Sequence, residues 1–362
     1  MLETALAEEH KKLGASFTDF GGWNMPVRYG SDLDEHHAVR NYAGLFDISH
    51  MGEIRIKGAA AEFLDFALIS KLSELKIGKA KYTMICDENG GIIDDLIGYR
   101  MAEDEYLIVA NAGNREVVFQ ELAARAKAFD VAVSDESADW SLIAIQGPKA
   151  AEILQKVVDI DLSQIKYYAI DRAKLESFDV LLARTGYTGE DGFEIFVSNQ
   201  NAAMVWNLLL GLDSELKPCG LACRDTLRLE AGMPLYGHEL SLDTNPFEVN
   251  MGRVVVAKTS TSFSGNALEK LRPERQGKLL FGLKGEGRRA ARADYEIFFS
   301  GQDSSLGVVT SGALSPTLGY PIAMALLDGS AGLEIGSKLE ADVRGTRVSY
   351  EVVELPFYKR GR

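Results

Sequence analysis

The most constraining feature of the sequence is a change of pattern near Asn245. Before this point, strand-like alternation is interspersed with longer segments of helical period. After it, short alternating segments such as 279–283 and 305–310 follow one another with glycine at the turns. Short strands separated by turn residues are typical of a β-barrel or sandwich. Because 362 residues exceed what one hydrophobic core usually holds, we predict an α+β protein of several domains with a C-terminal β-barrel or sandwich.

Composition narrows the class of protein. No apolar run approaches the roughly 18–20 residues that cross a bilayer, and the N-terminus lacks a basic region followed by an apolar one. We therefore expect a cytoplasmic protein with no membrane partner. The net charge of −14 argues against nucleic acid as a partner. Cys86, Cys219 and Cys223 have neither disulfide-framework nor zinc-site spacing, so no metal is expected.

Local signals in the first half predict particular elements. A helix is expected from about residue 2 to residue 12, followed by an irregular aromatic stretch at 17–29. Ser31 with Asp34 three residues later predicts the start of a second helix. Residues 82–86 and 92–99 alternate around the turn sequence DENGG, and Asn-Gly favours turns with positive φ, so this segment is predicted to be a β-hairpin.

The candidate chemistry is carried by isolated polar residues. The phosphate-loop, zinc-protease and serine-hydrolase motifs are absent from the sequence. Asp94 and Asp95 occupy opposite faces of the predicted second hairpin strand, and a carboxylate on an apolar face needs a partner or a polar cleft. The pair therefore indicates either a catalytic carboxylate or one buried and one solvent-facing structural aspartate. Glu194 and Arg224 leave a similar choice between a binding site and a structural ion pair, and His50 is interpreted as a satisfied structural histidine.

Eight sequence segments, in order, resemble one known family. They are 20–26 (FGGWNMP), 44–53 (GLFDISHMGE), 89–96 (NGGIIDDL), 146–148 (QGP), 184–194 (RTGYTGEDGFE), 220–225 (GLACRD), 244–248 (TNPFE) and 310–319 (TSGALSPTLG). Together they look like the aminomethyltransferase T-protein family of the glycine cleavage system. The resemblance extends over roughly residues 5–358, which makes chance similarity remote.

The resemblance implies a fold and a domain organisation. Family members have three domains arranged like a cloverleaf around a central folate channel. Carried over to this sequence, residues 1–48 and 145–245 form a discontinuous first domain, and residues 49–144 form a second α+β domain that carries the catalytic hairpin. Residues 246–362 form the C-terminal β-barrel domain.

The resemblance also implies a reaction and its site. The methylene unit of an S-aminomethyl group on the dihydrolipoyl arm of H-protein passes to tetrahydrofolate, the acceptor substrate, and ammonia is released. Asp95 matches the family's catalytic aspartate, while Asp94 is its structural neighbour. Glu194 matches a pterin-binding residue and Arg224 another folate-binding position. The remaining expected folate contacts are Tyr187, Tyr82, Met51 and Asn111, each of which could equally be core.

Two other functions stay open at this level. One is a folate-dependent demethylase of the same fold that uses another one-carbon donor. The other is a noncatalytic folate-binding protein, whose relatives carry a Lys-Gly-Cys-Tyr-x-Gly-Gln-Glu motif where this chain has RTGYTGE at 184–190. Two basic clusters are candidates for receiving H-protein: the arginines at 288, 289 and 292, and the C-terminal residues 359, 360 and 362.

Overall fold

The computed structural model describes residues 1–256, 262–272 and 277–361 and has a mixed helix and strand fold. Its α-helices are Ala7–Lys12 (α1), Asp32–Asn41 (α2), Ala60–Ala67 (α3), Arg115–Arg125 (α4), Ala150–Leu154 (α5), Ala202–Gly211 (α6), Leu221–Glu230 (α7) and Gly265–Leu271 (α8). The strands of the first half are Ser16–Phe20 (β1), Trp23–Arg28 (β2), Gly44–Asp47 (β3), Gly52–Gly58 (β4), Ala80–Cys86 (β5), Ile92–Ala102 (β6), Glu105–Ala110 (β7), Val131–Asp135 (β8) and Trp140–Gln146 (β9). The later strands are Ile170–Leu175 (β10), Phe178–Ala183 (β11), Gly192–Ser198 (β12), Lys217–Pro218 (β13), Lys278–Gly285 (β14), Glu296–Phe299 (β15), Ser305–Leu314 (β16), Pro321–Asp328 (β17), Lys338–Asp342 (β18) and Arg347–Val353 (β19).

The described chain divides into two compact units. The first unit comprises Met1–Ala67, Lys71–Thr83 and Asp95–Arg224, and the second comprises Leu68–Ser70, Met84–Asp94 and Asp225–Arg362. Both predicted domains of the N-terminal two thirds fall largely in the first unit. The subdivision of this unit into two domains stays a prediction.

The N-terminal stretch that was expected to be irregular is a β-hairpin, so that expectation was wrong. Strands β1 and β2 pair antiparallel and Phe20 lies opposite Trp23. The two turn residues, Gly21 and Gly22, have φ of 58° and 88°. A two-residue turn with both φ values positive is the kind that matches strand twist, and glycine adopts it without a steric penalty. The Gly-Gly pair indicates a hairpin turn, but the prediction was based on the aromatic residues around it.

A six-stranded sheet forms one core of the first unit. Its strand order is β10-β11-β12-β9-β3-β13, and the short strand β13 pairs parallel with β3. One face buries apolar side chains from β3, β9 and β12 against α6, with Leu45, Ile145, Phe193 and Trp206 among the members of this core. Strand β12 carries Glu194 within this sheet, so the position of that carboxyl is fixed by pairing on both sides.

A five-stranded sheet holds the predicted hairpin. Its order is β5-β6-β7-β4-β8, and the hairpin strands β5 and β6 extend the predicted boundaries by a few residues. Gly90 in the turn has φ of 93°, as the Asn-Gly signal required. The hairpin is confirmed. Its tip, Met84–Asp94, belongs to the second unit, whereas Tyr82 and Asp95 belong to the first.

The second unit contains the expected β-barrel. Strands β14-β17-β16-β15-β18-β19 form a closed barrel, in which β14 pairs with β19 to complete the ring. Alternate side chains point inward and form a core that includes Leu283, Ile297, Val309 and Tyr350. The Tyr350 hydroxyl accepts a hydrogen bond of 2.8 Å from the Ala291 N–H, so this buried polar group is satisfied. None of the helices in the described residues is long and apolar enough to span a membrane.

Candidate functional site

Asp95 is held by two side chains from neighbouring strands. The Tyr82 hydroxyl donates to Asp95 Oδ2 at 3.1 Å, and the Asn111 amide nitrogen donates to Oδ1 at 2.7 Å. Asn111 also donates to the backbone carbonyl of Asp95 at 3.1 Å. Burial raises the pKa of Asp95 to about 6, although both hydrogen bonds favour the ionised form. The carboxylate is therefore fixed in direction and mostly ionised at neutral pH.

Strand register explains why these residues meet. Ile97 pairs with Val109, and Gly52 pairs with Ala110. Extending each ladder by one or two residues places Asn111 between Asp95 on one side and Met51 on the other. The structure thus brings Tyr82, Asp95, Asn111 and Met51 to one end of four adjacent strands. Asp94 points to the opposite face and is buried, as expected for a structural neighbour.

Glu194 is a buried carboxyl on β12. The Thr185 hydroxyl donates to Glu194 Oε2, and the Tyr99 hydroxyl lies 3.3 Å from Thr185 Oγ1. Burial raises the pKa of Glu194, while Thr185 and the positive charge of Arg224 act in the opposite direction. Tyr99 and Asp95 are four residues apart on β6 and so share a face. Through Tyr99 and Thr185, the strand that carries Asp95 is linked to the one that carries Glu194.

Arg224 and Tyr187 form a stacked pair near Glu194. The Arg224 guanidinium lies 4.9 Å from the centre of the Tyr187 ring, within the range of a cation–π contact. All of the predicted site residues therefore lie in the first unit. Tyr82, Asp95 and Glu194 lie on strands and Arg224 lies in α7, whereas Met51, Asn111 and Tyr187 lie in the connections beside strands.

Comparison with known proteins identifies the family. Residues 6–259 match the family model described as GCVT N-terminal domain, and residues 278–359 match that of the glycine cleavage T-protein C-terminal barrel domain. The chain belongs to the aminomethyltransferase T-protein family of the glycine cleavage system. Members of this family use tetrahydrofolate as a substrate and act with H-protein.

Individual relatives cover the whole chain. An aminomethyltransferase of Corynebacterium jeikeium is 53% identical over 99% of this chain and 98% of its own length. One from Thermotoga neapolitana is 43% identical over 99% and 98%. The crystal structure of aminomethyltransferase T from Bartonella henselae has a TM-score of 0.93 and 36% identity, covering 99% of this chain and 98% of that one. The aminomethyltransferase assignment and the fold class are confirmed, and the two alternative functions are not favoured.

The geometry adds residues to this aminomethyltransferase site that sequence reasoning missed. Tyr99 and Thr185 adjoin Glu194. Tyr168 has φ of 57°, a left-handed conformation that is uncommon for a non-glycine residue. Burial raises the pKa of Tyr168, as do the neighbouring Tyr167 and the negative charges of Glu194 and Asp95. None of these three gave a local signal, because their role depends on contacts with distant segments.

His50 differs from its interpretation as a satisfied histidine. Its side chain is buried and packs edge-on against Phe20, with ring centres 5.4 Å apart. Nδ1 has no hydrogen-bond partner among the described residues. Burial, together with the charge of Arg224, lowers the pKa of His50 to about 4, so the imidazole is neutral at physiological pH. In this aminomethyltransferase, a neutral imidazole therefore lies next to Met51 and close to Arg224.

Proposed function

We propose that this chain transfers a methylene unit from the S-aminomethyl-dihydrolipoyl arm of H-protein to tetrahydrofolate. The carbon–sulfur and carbon–nitrogen bonds of the aminomethyl group break, and the carbon forms new bonds to N5 and N10 of the folate. The two protons lost from N5 and N10 go to the departing ammonia and to the dihydrolipoyl thiol. The products are 5,10-methylenetetrahydrofolate, ammonia and the reduced carrier.

Asp95 is the proposed catalytic residue. Loss of ammonia or thiolate from the aminomethyl group develops positive, iminium-like charge on the methylene unit. A carboxylate already fixed by Tyr82 and Asn111 stabilises that charge without having to reorganise. It also orients the attacking folate nitrogen. The single observation that carries this proposal is the fixed, mostly ionised carboxylate of Asp95 in a chain of this family.

The remaining site residues are proposed to bind folate. The pterin ring presents an array of N–H donors, which one buried carboxyl such as Glu194 accepts well. Arg224 and Tyr187 contact the folate as a stacked pair, and Met51 packs against its flat rings. Tyr82 and Asn111 hold Asp95 and border the same space. We also retain the three-domain division, with boundaries 1–48 plus 145–245, 49–144 and 246–362, as a proposal.

Ammonia release tests this function. The substrate is lipoylated H-protein that carries the aminomethyl group, incubated with and without tetrahydrofolate and with and without this protein. We expect fast release only when both folate and protein are present. If the protein binds folate but does not accelerate release, its donor is another one-carbon compound or it is a noncatalytic folate binder, and the proposal is wrong.

A further inference from the structure

Helix α2 carries a charged side chain toward a different segment of the first unit at each of its two ends. Glu35 lies in its first turn and Arg40 in its last turn. Both residues are buried. A buried charge is stable only when hydrogen bonds or an opposite charge compensate for its lost hydration. The partners of these two side chains are therefore held in defined positions.

Glu35 binds the residue that precedes α7. Its Oε2 accepts a hydrogen bond of 2.9 Å from the Gly220 N–H. Its Oε1 accepts from the Tyr29 N–H at 2.7 Å and from the Gly30 N–H at 3.1 Å. Gly220 also packs closely on β2, because a Cβ at this position would lie 2.4 Å from the carbonyl carbon of Val27. The start of α7 is thus held by a carboxylate and by the backbone of a neighbouring strand.

Gly220 transmits this constraint to Arg224. The Arg224 N–H donates to the Gly220 carbonyl at 3.2 Å, which closes the first turn of α7. A shift of Gly220 therefore moves the backbone of Arg224. Because the Arg224 guanidinium lies 4.9 Å from the centre of the Tyr187 ring, such a shift also changes the geometry of the stacked pair.

Arg40 binds the loop that carries the other member of the stacked pair. Its Nη1 donates to the Thr188 carbonyl at 2.7 Å and to Glu190 Oε1 at 2.8 Å. The side chains of this ion pair are 3% and 5% exposed, so removal of either partner would leave a buried charge uncompensated. Thr188 directly follows Tyr187 in the chain. One helix therefore restrains both members of the stacked pair.

We propose that Glu35 and Arg40 are positioning residues that set the geometry of the Arg224–Tyr187 pair for folate. This inference rests on the proposed function, in which that pair contacts tetrahydrofolate. Glu35 and Arg40 act through backbone groups of the segments that carry the pair. Asp95 is held by other side chains, so the substitution of either positioning residue should change the affinity for folate and not the chemical step.

The test uses Glu35→Gln in the full chain. An amide keeps the size of the side chain, but only its oxygen accepts hydrogen bonds. Two N–H groups bind Oε1 and one binds Oε2, so we expect the amide oxygen to stay with Tyr29 and Gly30. The bond that is lost is then the one to Gly220.

Asp65→Asn is the matched control. This carboxylate also accepts hydrogen bonds from two backbone N–H groups of the first unit, those of Leu72 and Ser73. Equilibrium dialysis with labelled tetrahydrofolate gives the dissociation constant of each protein. The same measurement is made on Arg224→Met with and without the change at position 35. Ammonia release from aminomethylated H-protein gives kcat, and thermal unfolding reports stability separately.

We expect Glu35→Gln to raise the dissociation constant for tetrahydrofolate about tenfold, while its kcat at saturating folate and the dissociation constant of the control change by less than about twofold. In the Arg224→Met background the same substitution should have no effect on binding, because the side chain that it positions is gone. Arg40→Lys keeps the charge but not the planar fork, and it should also weaken folate binding. If Glu35→Gln does not fold, Arg40→Lys decides the question.

Two results overturn the inference while leaving the proposed function intact. One is a dissociation constant of the folded variant within about twofold of the unmodified chain. The other is an equal loss of affinity with and without Arg224, since Glu35 then acts on the fold in general. If the unmodified chain binds no tetrahydrofolate, the proposed function itself fails.

Discussion

At the scale of single residues, the site contains two carboxyls in different settings, the half-buried Asp95 and the buried Glu194. Asp95 is fixed by a phenol and an amide and has a pKa of about 6. Glu194 accepts a hydrogen bond from the Thr185 hydroxyl, and burial raises its pKa. The surroundings of Asp95 suit a carboxylate that must carry charge during the reaction. Those of Glu194 suit a carboxyl that accepts further hydrogen bonds from the N–H groups of a ligand.

Removing the charge of Asp95 should slow the reaction without unfolding the protein. Asp95→Asn keeps the shape of the side chain and its contact with Asn111, but it loses the stabilisation of developing positive charge. We expect turnover to fall at least about tenfold while the dissociation constant for folate stays within about twofold. Steady-state ammonia release and folate titration measure the two quantities, with exposed Asp104→Asn as the control. Unchanged turnover removes Asp95 from the mechanism.

The pKa of Asp95 also predicts a pH dependence. Because burial raises this pKa to about 6, the carboxylate is lost as the pH falls through 6 and is regained above it. We expect kcat/KM to drop by about tenfold for each pH unit below that value. The profile is measured from pH 5 to 8 in the unmodified protein and in Asp95→Asn. If kcat/KM of the variant still falls as the pH drops through 6, the group that titrates there is not Asp95.

Glu194 should act on binding rather than on chemistry. Glu194→Gln retains size and one acceptor oxygen but has no charge to offer the pterin N–H groups. Loss of a charged hydrogen bond corresponds to roughly 1.5–3 kcal/mol, so folate should bind about 10-fold to 100-fold more weakly. Calorimetric titration gives the dissociation constant, with exposed Glu116→Gln as the control. An unaltered constant rules out the pterin contact.

At the scale of elements, sequence signals succeeded where the structural cause is local. Ser31 accepts a hydrogen bond from the Asp34 N–H and begins α2 as predicted. The Asn-Gly sequence predicted the β5–β6 hairpin correctly because its effect, a positive φ at Gly90, is also local. The stretch before α2 was mispredicted because aromatic residues hid a Gly-Gly turn. Tyr168 and Thr185 were not predictable, since their positions depend on pairing between segments far apart in the chain.

The end of β3 joins three elements through one buried carboxylate. Asp47 Oδ2 accepts from Thr4 Oγ1 at 2.6 Å and lies 2.8 Å from His10 Nε2 of α1, while Oδ1 accepts from the Ser49 N–H. His10 Nδ1 in turn lies 2.8 Å from the Tyr29 hydroxyl. Burial by itself raises the pKa of Asp47, but the contacts with His10, Ser49 and Thr4 outweigh it and hold this pKa below its usual value.

Asp47 should therefore stabilise the fold in a pH-dependent way. Because its pKa is lowered on folding, its contribution is present above the unfolded value near 3.9 and is lost as the pH falls through the folded value. Asp47→Asn should lower the free energy of unfolding by roughly 3 kcal/mol at pH 7. It should also flatten the loss of stability in acid. Urea unfolding at several pH values measures both effects, and a variant as stable as the parent at pH 7 contradicts the assignment.

At the scale of the whole molecule, the α+β class and the C-terminal run of short strands were predicted correctly because they follow from patterns repeated over many residues. The pattern left a barrel and a sandwich open, and the family resemblance implied the barrel that the structure has. The grouping of the hairpin tip Met84–Asp94 with the second unit was not predictable, since periodicity carries no information on packing partners. All proposed site residues lie in the first unit.

Transfer of the methylene unit to tetrahydrofolate is tested most directly by labelling its carbon atom. H-protein carrying an aminomethyl group labelled with ¹³C at the methylene carbon is mixed with this protein and tetrahydrofolate, and the products are analysed by NMR. We predict that label appears in the methylene bridge of 5,10-methylenetetrahydrofolate in a one-to-one ratio with released ammonia. Ammonia released while the label is recovered as free formaldehyde, at a rate independent of folate, contradicts methylene transfer as the function of this chain.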